Sequence, residues 1–314
     1  MIQTPICDLL GIQYPILQGG MAWIADGKLA AAVSEGGGLG IISAMNADAD
    51  YLKGQIEIAR SLTDKPFGVN LMLMSPHADA IAKTIADERV PVVTTGAGNP
   101  AKYMDAWIGA GIKVLPVVAS VGMTKLVTRA GATAVIAEGG ESGGHVGELT
   151  TLCLVPQVVD ATDLPVIAAG GIGDGRGIAA TFLLGAQGVQ LGTRFLVATE
   201  CGVHQNYKNK VLKANDISTI TTGKRLGHPV RSLKNAFSKA YFKAEYSDIS
   251  DEELEAMGTG ALRLAAVEGD EKRGCFLAGQ IAAMVKKEQP AAEIIRELFT
   301  EAETVLNGAK KWVK

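Results

Sequence analysis

Eight short runs of almost wholly apolar residues recur along the chain: Pro15 to Gln18, Leu39 to Ile42, Pro66 to Leu71, Val90 to Thr94, Ile112 to Val118, Ala134 to Ala137, Pro165 to Ala168 and Gly188 to Leu191. None alternates cleanly between apolar and polar positions. A strand with one wet face alternates, whereas a parallel strand covered on both sides does not, so the runs predict a buried parallel sheet. Lys28 to Glu35, Asp48 to Ser61, Pro76 to Asp87, Thr124 to Ala130 and Gly177 to Leu184 read as crossover helices. A unit of roughly 20 to 30 residues predicts an α/β fold closed as a (β/α)8 TIM barrel, with an open doubly wound sheet as the structural rival.

After Phe195 the pattern changes. Segments such as NYKNK, TTGKRLGHPVR and KAYFKAEYSD mix polar, basic and aromatic positions. They predict a small, mostly helical inserted cap over the barrel mouth. The division is a barrel over residues 1–199, a cap and substrate domain over 200–265, and C-terminal helices over 266–314 that return to the barrel. Within the last part, Ala278 to Lys286 reads as a helix, and Pro290 opens an amphipathic helix through Leu306.

Composition narrows the function classes. The 314 residues contain no uncharged apolar stretch long enough to span a bilayer. The start, MIQTPICDLLGIQYP, has neither the basic region nor the apolar stretch of an export signal, so a cytoplasmic location is expected. Thirty basic against thirty-three acidic side chains, a net charge of -3, argue against nucleic acid as a partner. The four cysteines form no CxxC pair, and His77, His204 and His228 are dispersed, so no metal site is expected.

Ligands of a β/α barrel meet the carboxyl ends of the strands. Here those ends are Gln18-Gly19-Gly20-Met21, Ser43, Asn70, Thr95-Gly96, Val118, Glu138-Gly139, Gly170-Gly171 and Gly192-Thr193. GGIGDGRG, from Gly170 to Gly177, ends a strand and reaches a helix start, where main-chain N–H groups can hold a phosphate. VQLGTR, from Val189 to Arg194, offers a second set of donors and the Thr193 hydroxyl. Tight turns alone are the bland reading of both. Arg194 either neutralises the phosphate or forms an outward salt bridge. The first segment is no dinucleotide fingerprint, because it lacks an early βαβ context and an acid about twenty positions on. Gly36-Gly37-Gly38-Leu39-Gly40 precedes its strand and serves the turn into it.

His145 sits in a glycine-rich loop, EGGESGGHVG, after the sixth run. Such a loop can approach a planar ligand closely and present an imidazole that exchanges protons near neutral pH. A buried structural histidine is the alternative. Asn70 reads as a hydrogen-bonding group for a ring edge or a carbonyl, and Glu138 as a holder of a polyol chain or of the glycine loop. Gln18, Met21 and Gln280 read as ring contacts, against loop fixing for the polar pair and core filling for Met21. His228 is either a substrate contact or a surface residue.

The motifs PILQGGMAW, GGGLGIIS, PFGVNLML, ESGGHVGELTT, PVIAAGGIGDGRG, VQLGTRF and GCFLAGQIAAMV span almost all of the chain. In them the sequence resembles the flavin-dependent enoyl-acyl-carrier-protein reductase II and nitronate monooxygenase family. The resemblance implies an FMN-binding TIM barrel with an inserted smaller domain. It implies that Gly20, Met21, Asn70, Glu138, Gly143, Gly144, Ala169, Gly170, Gly171, Gly192, Thr193 and Gln280 surround FMN, and that His145 faces the substrate. ESGGHVG before ELTT, the segment GHPVRSLKN, and MGTGAL with AGQIAAMV look more like the reductase. That activity uses NADH or NADPH to saturate a trans-2-enoyl thioester on acyl carrier protein during fatty-acid elongation; nitronate oxidation with O2 is the alternative. An acidic carrier gives Lys208, Lys210, Lys213, Lys224, Arg225, Arg231 and Lys234 a docking task, against a solvated face balanced by Glu245, Asp248 and Glu252 to Glu255. A homodimer is a further implication of the resemblance.

Overall fold

Each of the eight apolar runs is a strand of one parallel sheet in the computed structural model, which describes residues 2–44 and 48–312. In chain order the strands are β1 (Ile16–Gln18), β2 (Gly40–Ser43), β3 (Phe67–Met72), β4 (Val92–Gly96), β5 (Lys113–Val118), β6 (Val135–Glu138), a two-residue strand β7 (Gly144–His145) outside that sheet, β8 (Val166–Ala169) and β9 (Gly188–Leu191). The sheet order is β1-β9-β8-β6-β5-β4-β3-β2. The two end strands meet through a parallel bridge between Leu17 and Leu39, where Leu39 N–H donates to Ile16 O at 2.9 Å and Gln18 N–H to Leu39 O at 3.0 Å. The Gln18 side chain extends this seam, donating to Ile41 O at 3.2 Å and accepting from Ile41 N–H at 3.3 Å. Closure therefore rests on main-chain bonds and one buried amide, and the open sheet is excluded.

Inside the barrel the period-two geometry of a strand sorts the side chains. Leu17, Ile41, Val92, Leu115, Ile136 and Ile167 pack together in one buried cluster, while their neighbours Ile16, Ile42, Val93, Val114, Val135 and Val166 belong to the clusters beneath the helices. Ile6, Leu10 and Ile12, in and just after the first helix α1 (Pro5–Leu10), join the interior cluster. The crossover helices are α2 (Gly27–Glu35), α3 (Ala49–Leu62), α4 (Ala78–Asp87), α5 (Ala101–Gly109), α6 (Val121–Arg129), α7 (Thr151–Val159) and α8 (Gly175–Leu183). Two of these, α5 and α7, have no counterpart in the sequence reading. Pro156 lies inside α7 and masks its helical signal.

The region after β9 begins with a 3-10 turn, Thr193–Val197, followed by α9 (Gln205–Leu212), a hairpin of β10 (Thr219–Thr222) and β11 (Val230–Leu233), α10 (Ala236–Glu245), α11 (Asp251–Gly258) and α12 (Ala261–Arg263). The insertion is mostly helical, and the hairpin within it is an addition to the sequence reading. A π-helical turn, Leu264–Glu268, follows α12 directly. The expected helix from Ala278 to Lys286 is only a 3-10 turn over Gln280–Met284, and its start is pinned by Gly279 N–H and Gln280 N–H donating to Thr193 Oγ1 and Glu141 O. The last helix, α13 (Ala291–Gly308), buries Ile294, Ile295, Leu298, Phe299 and Ala302 on one face. Among the described residues no helix is long and apolar enough to cross a membrane.

Glycines set how closely helices approach the barrel. A Cβ on Gly40 would stand 1.9 Å from Ala30 O of α2, whereas one on Gly54, inside α3, would meet nothing within 4 Å. Gly40→Ala is expected to destabilise the fold by about 3 kcal/mol, and Gly54→Ala to stabilise it by about 0.5–1 kcal/mol, both read from urea unfolding midpoints.

Candidate functional site

A cavity of about 880 Å³ opens at the carboxyl ends of the barrel strands and runs up beneath the inserted region. That volume lies near the top of the range for small-molecule sites, which is roughly 300–1,000 Å³. Its lower part is lined by Gly20, Asn70, Glu138, Gly170, Gly171 and Gly192, all contributed by strand ends. Its upper part carries the apolar side chains Met72, Met74, Leu226, Phe237, Tyr241 and Leu262, together with His228, Glu255 and Arg263.

The floor is bare backbone. Gly170 and Gly171 have φ of 83° and 68°, and a Cβ on Gly170 would lie 2.5 Å from Gly139 O. Only glycine holds consecutive left-handed conformations at so close an approach without strain. Thr193 Oγ1 accepts the Gly279 N–H at 2.8 Å, which leaves its own proton to donate. The start of α8 does not contribute as the sequence reading expected. Its first N–H groups are already taken: Gly175 by Glu301 at 2.7 Å, Arg176 and Gly177 by the capping carboxylate of Asp174 at 3.0 and 3.2 Å. Anion-binding capacity therefore lies at Gly170-Gly171 and Gly192-Thr193.

Two polar side chains face this floor from other strands. Asn70 Oδ1 accepts the Thr94 hydroxyl at 2.9 Å, so its NH2 group is the part left for a ligand. Glu138 accepts the Ser142 hydroxyl at 3.2 Å. Burial pushes the Glu138 carboxyl up to about 7, and the Ser142 bond opposes that only in part.

His145 reaches the cavity because its loop is built into the cap ribbon. β7 pairs antiparallel with β11, in the register Val230 to His145 and Arg231 to Gly144. The Arg231 guanidinium donates to Gly140 O and, at 3.0 Å, to Ser142 O. On the loop's other side Glu141 accepts Thr151 N–H at 2.9 Å and the Thr151 hydroxyl at 2.9 Å. Gly143 passes so close to the next wall that a Cβ would lie 2.6 Å from the Ala278 carbonyl carbon. Partial desolvation first, and His228 second, lower the His145 imidazole from its ordinary value, which favours its neutral form.

Of the expected site residues, His145, Gly20, Met21, Asn70, Glu138, Gly143, Gly144, Ala169, Gly170, Gly171, Gly192 and Thr193 all line this one cavity, as does His228. Gln280 does not: its side chain is exposed, and its N–H donates to Glu141 O at 3.0 Å. Gln18 is spent on the barrel seam. Arg194 is buried and donates to Gln289 Oε1 at 2.5 Å, so it neither lines the cavity nor forms an exposed ion pair. Three of the cap's expected docking cations are also structural. Lys208 is buried against Ala198 O and Glu288, Arg225 holds Ser247 O, Ile249 O and Asp251, and Arg231 clamps the histidine loop. Gln190, Glu141, Trp23 and Arg263 line the cavity and were not anticipated. Only Gln190 carried a signal, as a polar residue inside an apolar run. Among the described residues no cluster of three His, Cys, Asp or Glu side chains could hold a metal ion.

Comparison with known proteins gives the same picture at the level of the whole chain. A model of the nitronate monooxygenase family matches residues 3–87 and 79–301. The structure of FabK from Thermotoga maritima is 48% identical in sequence, covers 100% of both chains and superposes with a TM-score of 0.98. A probable nitronate monooxygenase from Staphylococcus saprophyticus is 33% identical over 98% of this chain and 99% of its own. A (3aS,4S,5R,7aS)-5-hydroxy-7a-methyl-1-oxo-octahydro-1H-indene-4-carboxyl-CoA dehydrogenase from Rhodococcus jostii is 38% identical over 74% of this chain, which spans 66% of that relative's length.

The raised Glu138 carboxyl has a measurable consequence. Between its ordinary value of 4.5 and about 7 the ligand-free folded protein keeps a proton that the unfolded chain has lost. Its contribution therefore makes stability fall as pH rises through that window. Glu138→Gln keeps the acceptor for Ser142 but cannot ionise. Urea titrations of the ligand-free protein at pH 5 and pH 8 should show a smaller loss in the variant than in the wild type, and an equal loss would mean that this carboxyl ionises normally.

Proposed function

Because the chain belongs to the nitronate monooxygenase family, we propose that it is an FMN- and NAD(P)H-dependent enoyl-acyl-carrier-protein reductase that saturates trans-2-enoyl thioesters. The observation that carries this reading is the size and lining of the cavity at the barrel mouth. A glycine-lined polar floor suits a phosphate-tailed planar cofactor, and the same cavity carries the apolar side chains Met72, Met74, Leu226, Phe237, Tyr241 and Leu262. A nitronate is small and needs no such apolar lining, whereas an acyl chain packs against it. The stronger likeness to FabK than to the staphylococcal relative favours the same side of the family, and the Rhodococcus relative is itself named for a carboxyl-CoA thioester.

The residues present fit FMN. Main-chain N–H groups at Gly170-Gly171 and Gly192-Thr193, with the Thr193 hydroxyl, would hold its phosphate. Glu138, whose carboxyl burial raises to about 7, would meet the ribityl hydroxyls, and the Asn70 amide would meet the ring edge. Met21 supplies a soft, polarizable contact. When bound, FMN supplies hydride transfer from the nicotinamide to the β-carbon of the enoyl thioester.

This chain's own contribution is position and charge stabilisation. A neutral His145 presents an N–H donor that would stabilise the developing enolate oxygen of the thioester, or pass a proton to the α-carbon directly or through water. Arg231 and Glu141 keep the imidazole in place by gripping its loop from both sides. The Met72, Met74 and Leu262 walls exclude water from the acyl chain.

The carrier would approach over the remaining cap cations. Lys213, Lys224 and Lys234 are exposed, and a second groove of about 370 Å³ beside α9 is lined by Lys210, Lys213 and Lys234. These charges would steer an acidic carrier.

His145→Ala is expected to keep its flavin and its reduction by NAD(P)H while losing thioester reduction by about a hundredfold or more, measured anaerobically with crotonyl thioester. Oxygen uptake with a nitronate, without nicotinamide, would instead point to the alternative activity. Replacing Lys210, Lys213 and Lys234 together by alanine should raise KM for the carrier-linked substrate more than for a short CoA thioester; an equal rise would remove the docking role.

A further inference from the structure

The cavity holds more negative than permanent positive charge. Apart from Glu138, whose charge burial disfavours, its lining carboxylates are Glu141 near the floor and Glu255 at the mouth, and among the described lining residues Arg263 is the only lysine or arginine. The proposed hydride donor carries a diphosphate, and NADPH a further phosphate ester. An anion of that charge entering a partly desolvated cleft needs a cation inside it.

Arg263 is brought to the mouth by an irregular piece of chain. It is the last residue of α12, and the helix widens immediately into the π turn Leu264–Glu268, which ends at Gly269 in the left-handed conformation. Such π turns are rare and concentrate at functional sites. The guanidinium carbon lies 6.0 Å from the centroid of the Trp23 ring. Trp23 is a second, independent irregularity. It has φ of 63°, a conformation disfavoured for a bulky side chain, and yet its indole is 42% exposed where it lines the cavity. Burying the indole in the core would be the ordinary use of a tryptophan. Here the strained backbone, held by Ile24 N–H and Ala25 N–H donating to Met21 O at 3.0 and 2.8 Å, keeps it at the opening. Arg263 pairs with Glu268 at 2.7 Å, and both side chains of that pair are about half exposed, so an incoming phosphate can compete for the remaining donors.

We propose that Arg263 and Trp23 form the nucleotide subsite of the cavity mouth: the guanidinium takes a phosphate of the dinucleotide hydride donor and the indole stacks on one of its rings. The subsite rests on the reading of the protein as an NAD(P)H-dependent reductase. A phosphate anion also reaches the cavity on the carrier's phosphopantetheine thioester, but that arm carries no ring to use the indole; CoA does carry an adenine, and the crotonyl-CoA arm of the test separates it from the dinucleotide. The Arg263 fork suits a phosphate bidentately, and the exposed aromatic plane suits a nucleobase or nicotinamide.

The test uses the flavin-loaded protein and its Arg263→Ala, Arg263→Lys and Trp23→Ala variants, with flavin content and melting temperature confirming that each is folded. Rapid mixing reads flavin bleaching against NADH and NADPH concentration. A second arm reads reoxidation of the photoreduced protein by crotonyl-CoA and by crotonyl-N-acetylcysteamine, which has no phosphate. Arg263→Ala should raise the concentration of dinucleotide needed for half-maximal bleaching about tenfold or more, the usual range for losing a charge-assisted hydrogen bond. Arg263→Lys should recover part of that loss, and Trp23→Ala should weaken the dinucleotide more than either thioester. A defect confined to crotonyl-CoA would assign the cation to the thioester and overturn the nucleotide subsite. Unchanged or uniformly changed responses in both arms would overturn it too. A wild-type flavin that neither dinucleotide bleaches would instead sink the reductase reading on which the subsite rests.

Discussion

The site depends on two residues of main-chain pairing. Gly144 and His145 form a strand with Arg231 and Val230, so a loop that belongs to the barrel becomes the edge of a ribbon that belongs to the insertion. The same ribbon meets the chain again at Leu277, where Leu233 N–H donates to Phe276 O at 2.7 Å, and the Tyr207 hydroxyl donates to Leu277 O at 2.7 Å. From Leu277 the chain runs directly to Gly279, which donates to Thr193 at the floor. One continuous hydrogen-bonded path therefore joins the imidazole above the cavity to the anion-binding turn below it. A glycine-rich loop left to itself would carry a large conformational entropy; ladder bonds on one side and Glu141 on the other remove it.

Desolvation acts on Glu138 and His145 alike in the direction of neutrality. It raises Glu138 to about 7 and lowers His145. The causes are the same in kind, since burial disfavours whichever form carries charge. The result is a pocket in which a carboxylic acid and an imidazole can both act as neutral hydrogen-bond donors. Fixed positive charge is kept at the rim, where it does not carry the penalty of full burial.

The barrel was legible in the sequence to within a residue or two per strand. The runs are short, apolar and bounded by glycine or proline, and the physics that hides both faces of a parallel strand writes itself into composition. The floor was legible for the same reason, because glycine pairs at strand ends have few structural uses. Gln18 and Gln280 lie off the cavity lining although both are polar residues beside glycine motifs, because sequence shows the position of a side chain without its direction. Gln18 turns into the β1 to β2 seam, and Gln280 turns out to solvent. Arg231 and Lys208 looked like members of a basic surface. Their partners are carbonyl oxygens and a carboxylate up to ninety-one positions away, and such pairings leave no local trace.

By itself, the sequence determined eight parallel α/β units, the bare glycine floor and the presence of a histidine near it, because these follow from local periodicity and from what glycine alone can do; closure of the sheet into a barrel was decided by the seam between β1 and β2. Tertiary structure decided which way the imidazole faces, that the start of α8 is already capped by Asp174 and Glu301, and that Trp23 and Arg263, 240 positions apart, meet at the mouth. Those outcomes depend on long-range hydrogen bonds and on how the insertion folds back over the barrel. Their free energies belong to pairs of distant residues, so no window of sequence contains them.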